Sequence, residues 1–210
     1  MGQPAFPCAG VALQLQLGVL RRRSDGCSAG VARWANFNRL AASVQRSSAP
    51  VIIRRADAVH LDGAARLAVL HSGGERVRWI ERFGGDLDDG QRCLLVAVWG
   101  GLIVGYGRAC WFEPHQLEPA HVAPRGYYLV GLVVDPDHRR RGIGGALIRA
   151  RLAWARELGA HEAWFFTNAA NVASQRLHQR FGFQEVTRDF VFPGVSFEGG
   201  VGILGRTTLA

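Results

Sequence analysis

The stretch DPDHRRRGIGGALI, residues 135–148, places three arginines and three glycines between an apolar run and a helical pattern. Glycines let a ligand approach the backbone, and the first turn of a helix leaves N–H donors unpaired at the positive end of its dipole. Such a turn suits an anion, most naturally a phosphate group. A Walker loop is excluded because no Gly-Lys-Ser/Thr follows, and the Rossmann glycine pattern is not matched. A surface turn with solvated arginines is the alternative interpretation.

The patterns on both sides of this turn predict the order β-α-α-β-β-β-α-β-α-β-β. Upstream, YYLVGLVV is typical of a buried strand. Downstream, apolar residues recur at helical spacing from Ile143 to Leu158, and Gly159 supplies a helix stop. Two apolar runs that meet at Gly100 and Gly101 predict a two-residue hairpin turn. This order predicts an α/β fold of the α+β type, with a mixed sheet flanked by helices.

The composition predicts a soluble globular protein. One domain is the default for 210 residues, of which 48% are hydrophobic. No apolar stretch approaches the ~20 residues of a membrane-spanning helix. Arginines follow the early apolar run at residues 11–20 and none precedes it, which argues against a secretory signal. The four cysteines lack a C-x-x-C pair and metal-finger spacing, so we expect no metal site and free thiols in a cytoplasmic protein.

The net charge of +8 is unevenly distributed along the chain. Residues 1–49 hold six arginines against one aspartate, whereas the remainder holds nineteen arginines against sixteen acidic residues. Because the predicted folded part is only mildly basic, we expect no nucleic-acid partner. All 25 basic residues are arginine, which excludes mechanisms that need a Schiff-base, P-loop or other catalytic lysine.

Residues 1–49 show no steady hydrophobic period and end in the polar stretch RSSAP at residues 46–50. We predict a mostly disordered N-terminal extension there, followed by one domain over residues 50–210. A functional basic arm is the competing interpretation, and an incorrectly assigned start codon gives the same appearance.

Arg139-x-x-Gly142-x-Gly144 directly after LVV, followed by Asn171 and RLHQRFGF, resembles the GNAT superfamily of N-acetyltransferases. The resemblance spans residues 51–209 in element order, and its motifs run from residue 132 to 183. It implies the GNAT-like acyl-CoA N-acyltransferase fold, whose mostly antiparallel mixed sheet is splayed beside the glycine turn. It also implies that residues 50–210 form an N-acetyltransferase domain with acetyl-CoA as co-substrate.

The resemblance also implies a set of cofactor-binding residues. The main chain of the fourth strand is expected to pair with the pantetheine arm, the turn N–H groups to hold the pyrophosphate, and the thioester to lie near the start of the next helix. The set is Leu132, Val133, Val134, Arg139, Arg140, Arg141, Gly142, Gly144, Gly145, Asn171 and Ser174. From the residues alone, Asn171 is a plausible helix cap, and both roles can coexist.

Two residues are candidates for catalytic proton transfer. His178 stands where the family usually has a tyrosine that protonates the leaving thiolate, although the phosphinothricin-acetyltransferase-like branch also carries Leu-His there. Because a thiolate with a reference pKa of ~8.5 leaves readily, a neutral histidine that packs or orients water is an equal alternative. Glu113 is the candidate base, acting through a water chain, against the alternative of a solvated charge. Tyr127 and Tyr128 begin the fourth strand and are alternatively interface aromatics.

The sequence leaves the acceptor open. The segments that cover the acceptor site in such folds are residues 59–83, 113–125 and 193–200. Acidic residues in and beside them suit a cationic amine such as an aminoglycoside, or are solvated charges: Asp62, Glu75, Glu81, Asp86, Asp88, Asp89, Glu113, Glu118 and Glu198.

The leading hypothesis is acetyl transfer to a primary amine of a small molecule, with aminoglycoside-like and other antibiotics among the candidates. The alternatives are a protein N-terminal or lysine acetyltransferase, which should have an open groove, and a non-catalytic acetyl-CoA-binding sensor. We expect no membrane partner. The sequence does not decide the oligomeric state, and a homodimer stays open.

Overall fold

A computed structural model of the chain describes residues 50–115 and 118–209. The predicted N-terminal extension, residues 1–49, lies outside the described residues. In the described part the helices and strands follow the predicted order. They are β1 (Ile52–Arg55), α1 (Leu61–Ser72), α2 (Arg76–Leu87), β2 (Arg92–Trp99), β3 (Leu102–Phe112), β4 (Gly126–Val134), α3 (Ile143–Glu157), β5 (Glu162–Asn168), α4 (Val172–Gln179), β6 (Gln184–Thr187) and β7 (Gly202–Thr208).

The strands form one sheet in the order β1-β2-β3-β4-β5-β7-β6. Every neighbouring pair is antiparallel except β4 and β5, which are parallel. The predicted mixed, mostly antiparallel sheet is therefore confirmed. The hairpin between β2 and β3 turns at Gly100 (φ 55°) and Gly101 (φ 81°), as the glycine pair predicts.

Helices cover the sheet on both faces. On β2, Cys93 and Leu95 pack in the cluster beneath α3, whereas Leu94 and Val96 pack in the cluster beneath α1 and α2. Successive strand residues point to opposite faces, so this alternation defines an α3 face and an α1–α2 face. The α1–α2 face continues into an aromatic cluster that includes Tyr128 and is covered by the segment after β6.

Strand β6 is shorter than its sequence pattern predicts. GFQEVTRDFVF predicts a strand through residue 192, but β6 ends at Thr187. The Thr187 hydroxyl accepts a hydrogen bond from the backbone N–H of Asp189 at 3.0 Å, a local turn that competes with strand pairing. Phe190 and Phe192 then pack in or against the aromatic cluster of the α1–α2 face.

In the described residues, no helix combines the length and the apolar character that crossing a membrane requires.

Candidate functional site

A gap opens between β4 and β5. The two strands pair over only three positions, of which the last joins Leu129 to Phe165. Beyond it, β4 continues on β3 as far as Val134, and β5 continues on β7 as far as Asn168. The strands therefore diverge and expose the edge of β4 at residues 130–134. An edge of this kind presents peptide N–H and C=O groups that can pair with an extended ligand.

A β-bulge at Gly131 lies at the start of the gap. On β3, Gly107 pairs with Leu132 and Arg108 pairs with Val130, so Gly131 is an extra residue on β4. Its φ of 60° lies in the left-handed region that favours glycine. A bulge bends its strand and increases the local twist, which agrees with the divergence of β4 from β5 at this point.

The turn between β4 and α3 exposes main-chain donors. The Asp135 carboxylate accepts the N–H of Asp137 at 3.1 Å, Arg140 has a φ of 63°, and Gly142 has a φ of 80°. Gly142 precedes the first residue of α3, and the N–H of Ala146 donates back to its carbonyl at 3.0 Å. The N–H groups of residues 143–145 therefore lie ahead of the first helical hydrogen bond. Together with the helix dipole they form a site for an anion.

Two of the three arginine side chains in this turn contact residues of the sheet. Arg139 Nε donates to the Val134 carbonyl at 3.2 Å. The Arg141 guanidinium lies over the Trp99 ring, 5.6 Å from its centroid, while Arg140 is exposed. The turn therefore carries fixed positive charge beside its N–H donors.

Gly144 and Gly145 bring two helices together at the turn. A Cβ on Gly144 would lie 3.1 Å from Leu177 Cδ2, and one on Gly145 would lie 3.4 Å from Phe181 Cζ. The missing side chains let α3 and the end of α4 approach closely. The sequence interpretation assigned these glycines to the ligand and did not predict this packing role.

Two asparagines shape the end of β5. Asn171 caps α4, because its side-chain oxygen accepts the N–H of Ser174 at 3.0 Å, so the predicted cap is confirmed. Asn168 donates to the Glu198 carbonyl at 2.7 Å and accepts the N–H of Ala170 at 2.7 Å. Asn168 thus holds the segment before β7 at the end of β5, beside the gap between β4 and β5. Sequence reasoning missed it, since its only signal is an amide at a strand end.

His178 is buried in α4 beside the gap. Its ring stacks on Phe165 with centroids 4.1 Å apart, and Nδ1 lies 2.8 Å from the Ser174 carbonyl oxygen. Burial, and then the charge of Arg151, lowers the pKa of His178 to about 4, against the opposing Ser174 contact. At neutral pH the ring is therefore uncharged, with Nδ1–H donating to Ser174 and Nε2 left as an acceptor. This arrangement favours the packing alternative over the acid.

Arg151 is a buried charged residue near the site that the sequence analysis did not predict. It is fully buried on α3, where Nε donates to the Leu147 carbonyl at 3.2 Å and Nη1 to the Arg108 carbonyl at 3.0 Å. Its Nη2 has no hydrogen-bond partner among the described residues. Burial lowers the pKa of Arg151 to about 9. The sequence feature that could have indicated this burial is the position of Arg151 four residues after Leu147, on the same face of the helix.

Glu113 lies away from the gap. It is exposed and follows the last residue of β3, Phe112, which pairs with Gly126 at the start of β4. It lies five positions along the chain from Arg108, or roughly 17 Å at ~3.4 Å per residue. The structure does not bring the Glu113 backbone to the mouth of the gap, and its catalytic role stays a prediction.

The two tyrosines at the start of β4 make packing contacts. The Tyr128 hydroxyl donates to the Pro124 carbonyl at 2.7 Å, and Tyr127 packs edge-on against Trp111 and Trp154. These contacts fit the interface-aromatic interpretation.

Arginines pair with several of the acidic residues of α1, of α2 and of the loops on either side of α2. The ion pairs are Asp62–Arg76, Glu75–Arg78, Asp86–Arg108 and Asp89–Arg92.

Comparison with known proteins agrees with the geometry. The Acetyltransferase (GNAT) family model matches residues 62–183, more than half of the chain. Mycothiol acetyltransferase from Thermobispora bispora is 33% identical over 100 residues, 47% of this chain and 32% of the relative. Aminoglycoside N(6')-acetyltransferase type 1 from Salmonella typhimurium is 38% identical over 61 residues, 29% of this chain and 42% of the relative. The chain thus spans less than half the length of these relatives.

Solved structures share the fold. The ribosomal-protein-alanine N-acetyltransferase from Brucella melitensis aligns with a TM-score of 0.60 at 23% identity, covering 75% of this chain and 99% of that one. AAC(6')-Iy in complex with the bisubstrate analog CoA-S-monomethyl-acetylneamine aligns with a TM-score of 0.59 at 24% identity, covering 68% and 97%. The family match, the splayed sheet and the glycine turn lead to one conclusion: the chain belongs to the Acetyltransferase (GNAT) family.

Proposed function

We propose that the chain is an acetyl-CoA-dependent N-acetyltransferase acting on a primary amine of a small molecule. The observation that carries this proposal is the anion site at residues 142–145 beside the exposed edge of β4. A pyrophosphate suits the turn donors, and an amide-bearing pantetheine arm suits a strand edge. Each charge-assisted hydrogen bond contributes ~1.5–3 kcal/mol, so a few of them account for most of a micromolar ligand's ~8 kcal/mol.

The chemistry needs little from the side chains. Acetyl-CoA supplies a thioester carbonyl that a neutral amine attacks. The β4 edge and the turn hold the donor, and the buried His178 ring shapes the wall of the gap without donating a proton at neutral pH. Because the leaving thiol has a reference pKa of ~8.5, its departure as thiolate does not require a strong acid.

The segment after β6 supports a small acceptor in preference to a protein. Phe197 lies with its ring centroid 6.1 Å from that of Phe166 on β5, and the Glu198 carbonyl accepts from Asn168. These contacts hold the segment over the end of β5. A polypeptide acceptor would need an open groove at that place. The relatives named for mycothiol and aminoglycoside acetylation are consistent with a small amine.

The test is an amine panel that follows free-thiol release from acetyl-CoA, run beside a calorimetric titration of acetyl-CoA. The panel includes aminoglycosides, amino acids, polyamines and peptides with free N-termini or lysines. Turnover of small amines supports the proposal, and turnover of peptides alone indicates a protein acetyltransferase. Tight acetyl-CoA binding without turnover of any amine indicates a sensor, and absence of binding refutes the assignment of the turn.

A further inference from the structure

The gap between β4 and β5 is open on the α1–α2 face of the sheet. On the α3 face, α3 and the end of α4 pack closely at Gly144 and Gly145 and cover it. On the opposite face Gly131 is exposed. A Cβ there would lie 4.0 Å from Tyr106 Cε2, and Tyr106 packs in the cluster beneath α1 and α2. An amine that reaches a thioester on the β4 edge therefore approaches from the α1–α2 face.

The residues at which the two strands separate carry apolar side chains on this face. Leu129 and Phe165 form the last pair between β4 and β5. Val130 and Phe166 follow them directly, and both are half-buried and pack against the aromatic cluster of the α1–α2 face. The aromatic cluster therefore borders the gap at its narrow end.

Three half-buried rings form the outer layer of this cluster. The ring centroid of Phe166 lies 6.5 Å from that of Phe190 and 6.1 Å from that of Phe197, and the last two centroids are 5.7 Å apart. Beneath them Phe192 is buried, with its centroid 4.6 Å from that of Phe166. The outer rings, which we call the phenylalanine wall, thus contact one another and keep exposed apolar area beside the gap.

Phe197 is held in this wall by contacts on both sides. A Cβ on Gly202, at the start of β7, would overlap the Phe197 ring, so the ring packs directly on the strand backbone. The next residue, Glu198, accepts a hydrogen bond from Asn168 at 2.7 Å through its carbonyl. Gly202 and Asn168 are paired across β7 and β5. The position of the ring therefore depends on a glycine that leaves room for it.

We propose that the phenylalanine wall binds the carbon skeleton of the acceptor, which is a primary amine with an apolar or aromatic body. The inference rests on the proposed function and narrows its substrate class. Apolar groups gain free energy by leaving water, and an aromatic body also makes ring contacts with the wall. Apolar surroundings lower the pKa of an amine and so favour the neutral form that attacks the thioester.

This proposal replaces the polycationic acceptor suggested by the acidic residues. The carboxylates of Asp62, Glu75 and Asp86 are paired with arginines, so they are not free to bind ammonium groups. A second ammonium group placed against the phenylalanine wall would lose its hydration without gaining a partner there.

The test uses the unbranched primary amines from propylamine to hexylamine, in which only the number of methylene groups changes. Each is titrated calorimetrically into the protein saturated with CoA and assayed for kcat/KM by thiol release from acetyl-CoA. In the wild type each added methylene should raise both affinity and kcat/KM about fourfold, from ~0.8 kcal/mol per buried methylene. Pentylamine should exceed 4-aminobutan-1-ol and 1,5-diaminopentane by about tenfold or more.

Variants of the wall should remove this dependence on chain length. Phe190→Ala and Phe197→Ala should each reduce the increment per methylene to less than twofold, with acetyl-CoA affinity unchanged. Phe197→Leu keeps an apolar side chain and should keep most of the increment. Gly202→Ala should act in the same direction as Phe197→Ala, because it displaces the ring without removing it. Val186→Ala is the control, since Val186 is exposed on β6 and lies outside the wall.

The wild-type series decides the proposal even where a variant does not fold. Affinity that does not increase with chain length, or an unchanged increment in both alanine variants, overturns the phenylalanine wall as the acceptor site. Turnover of amines without dependence on chain length refutes the wall alone. Acetyl-CoA binding without turnover of any amine refutes the enzyme proposal, and the calorimetric series still decides the wall.

Discussion

Acidification should destabilise the folded protein through His178. Its pKa is about 4 in the fold, against ~6.5 in an unfolded chain, so the unfolded state binds more protons between these values. Stability is therefore complete above pH 6.5 and declines as the pH falls towards 4. At 1.36 kcal/mol per pKa unit the whole loss is about 3 kcal/mol, of which about 2 kcal/mol is reached at pH 5.

The matched variant is His178→Phe. A phenyl ring can keep the stack on Phe165 and the edge contact with Phe183, which lie 4.1 and 5.4 Å from the His178 centroid. Urea unfolding of both proteins at pH 7.5 and pH 5 gives four free energies of unfolding. The wild type should lose about 2 kcal/mol more than the variant between the two pH values. The other histidines are common to both proteins, so they cancel in this comparison.

Kinetics of the same pair separate the two roles of His178. A packing histidine predicts that His178→Phe keeps kcat within a few-fold of wild type and leaves the pH profile above 6 unchanged. A catalytic acid predicts a loss of about 10²-fold, with activity falling as pH rises through the pKa. Equal pH-dependent destabilisation of wild type and variant, together with a large loss of kcat, would refute the neutral buried histidine.

Further predictions concern the turn and the buried charges. Gly142→Asp should weaken acetyl-CoA binding at least tenfold by calorimetry, because it puts a carboxylate in the anion site, and Gly142→Ala measures the cost of a side chain at φ 80°. Asp86→Ala should lower the free energy of unfolding by about 3–5 kcal/mol in urea, since Arg108 would stay buried without a carboxylate. Arg151→Met should raise the pKa of His178 in an NMR titration by removing the nearby positive charge, and an unchanged pKa would contradict that cause.

Local chemistry made most of the fold predictable. The hairpin at Gly100 and Gly101 follows from two residues that adopt positive φ without strain, and the α4 cap follows from the side chain of Asn171. The end of β6 was not predictable from β-propensity, because a hydroxyl-mediated turn at Thr187 competes with the ladder. Leu158 fits the helical period but is 44% exposed, since it lies just past the last residue of α3.

The site was predictable only where a single short segment builds it. The anion-binding turn is made of consecutive main-chain groups, so its glycines are enough to identify it in the sequence. Gly131 left a usable signal, because a lone glycine inside a strand pattern often marks a bulge. The burial of Arg151 left little signal in the sequence, because a helical arginine is usually exposed. Its burial depends on how its side chain packs beneath Gly107.

The turn and the buried ion pair of the α1–α2 face depend on different parts of the chain. The turn is built from consecutive main-chain groups at residues 142–145, whereas the ion pair joins Asp86 on α2 to Arg108 on β3. Gly142→Asp should therefore weaken acetyl-CoA binding and cost little stability beyond the strain of a side chain at φ 80°, and Asp86→Ala should lower stability much more than it lowers acetyl-CoA affinity. A comparable loss of both properties in either variant would mean that the turn and the ion pair are not energetically independent.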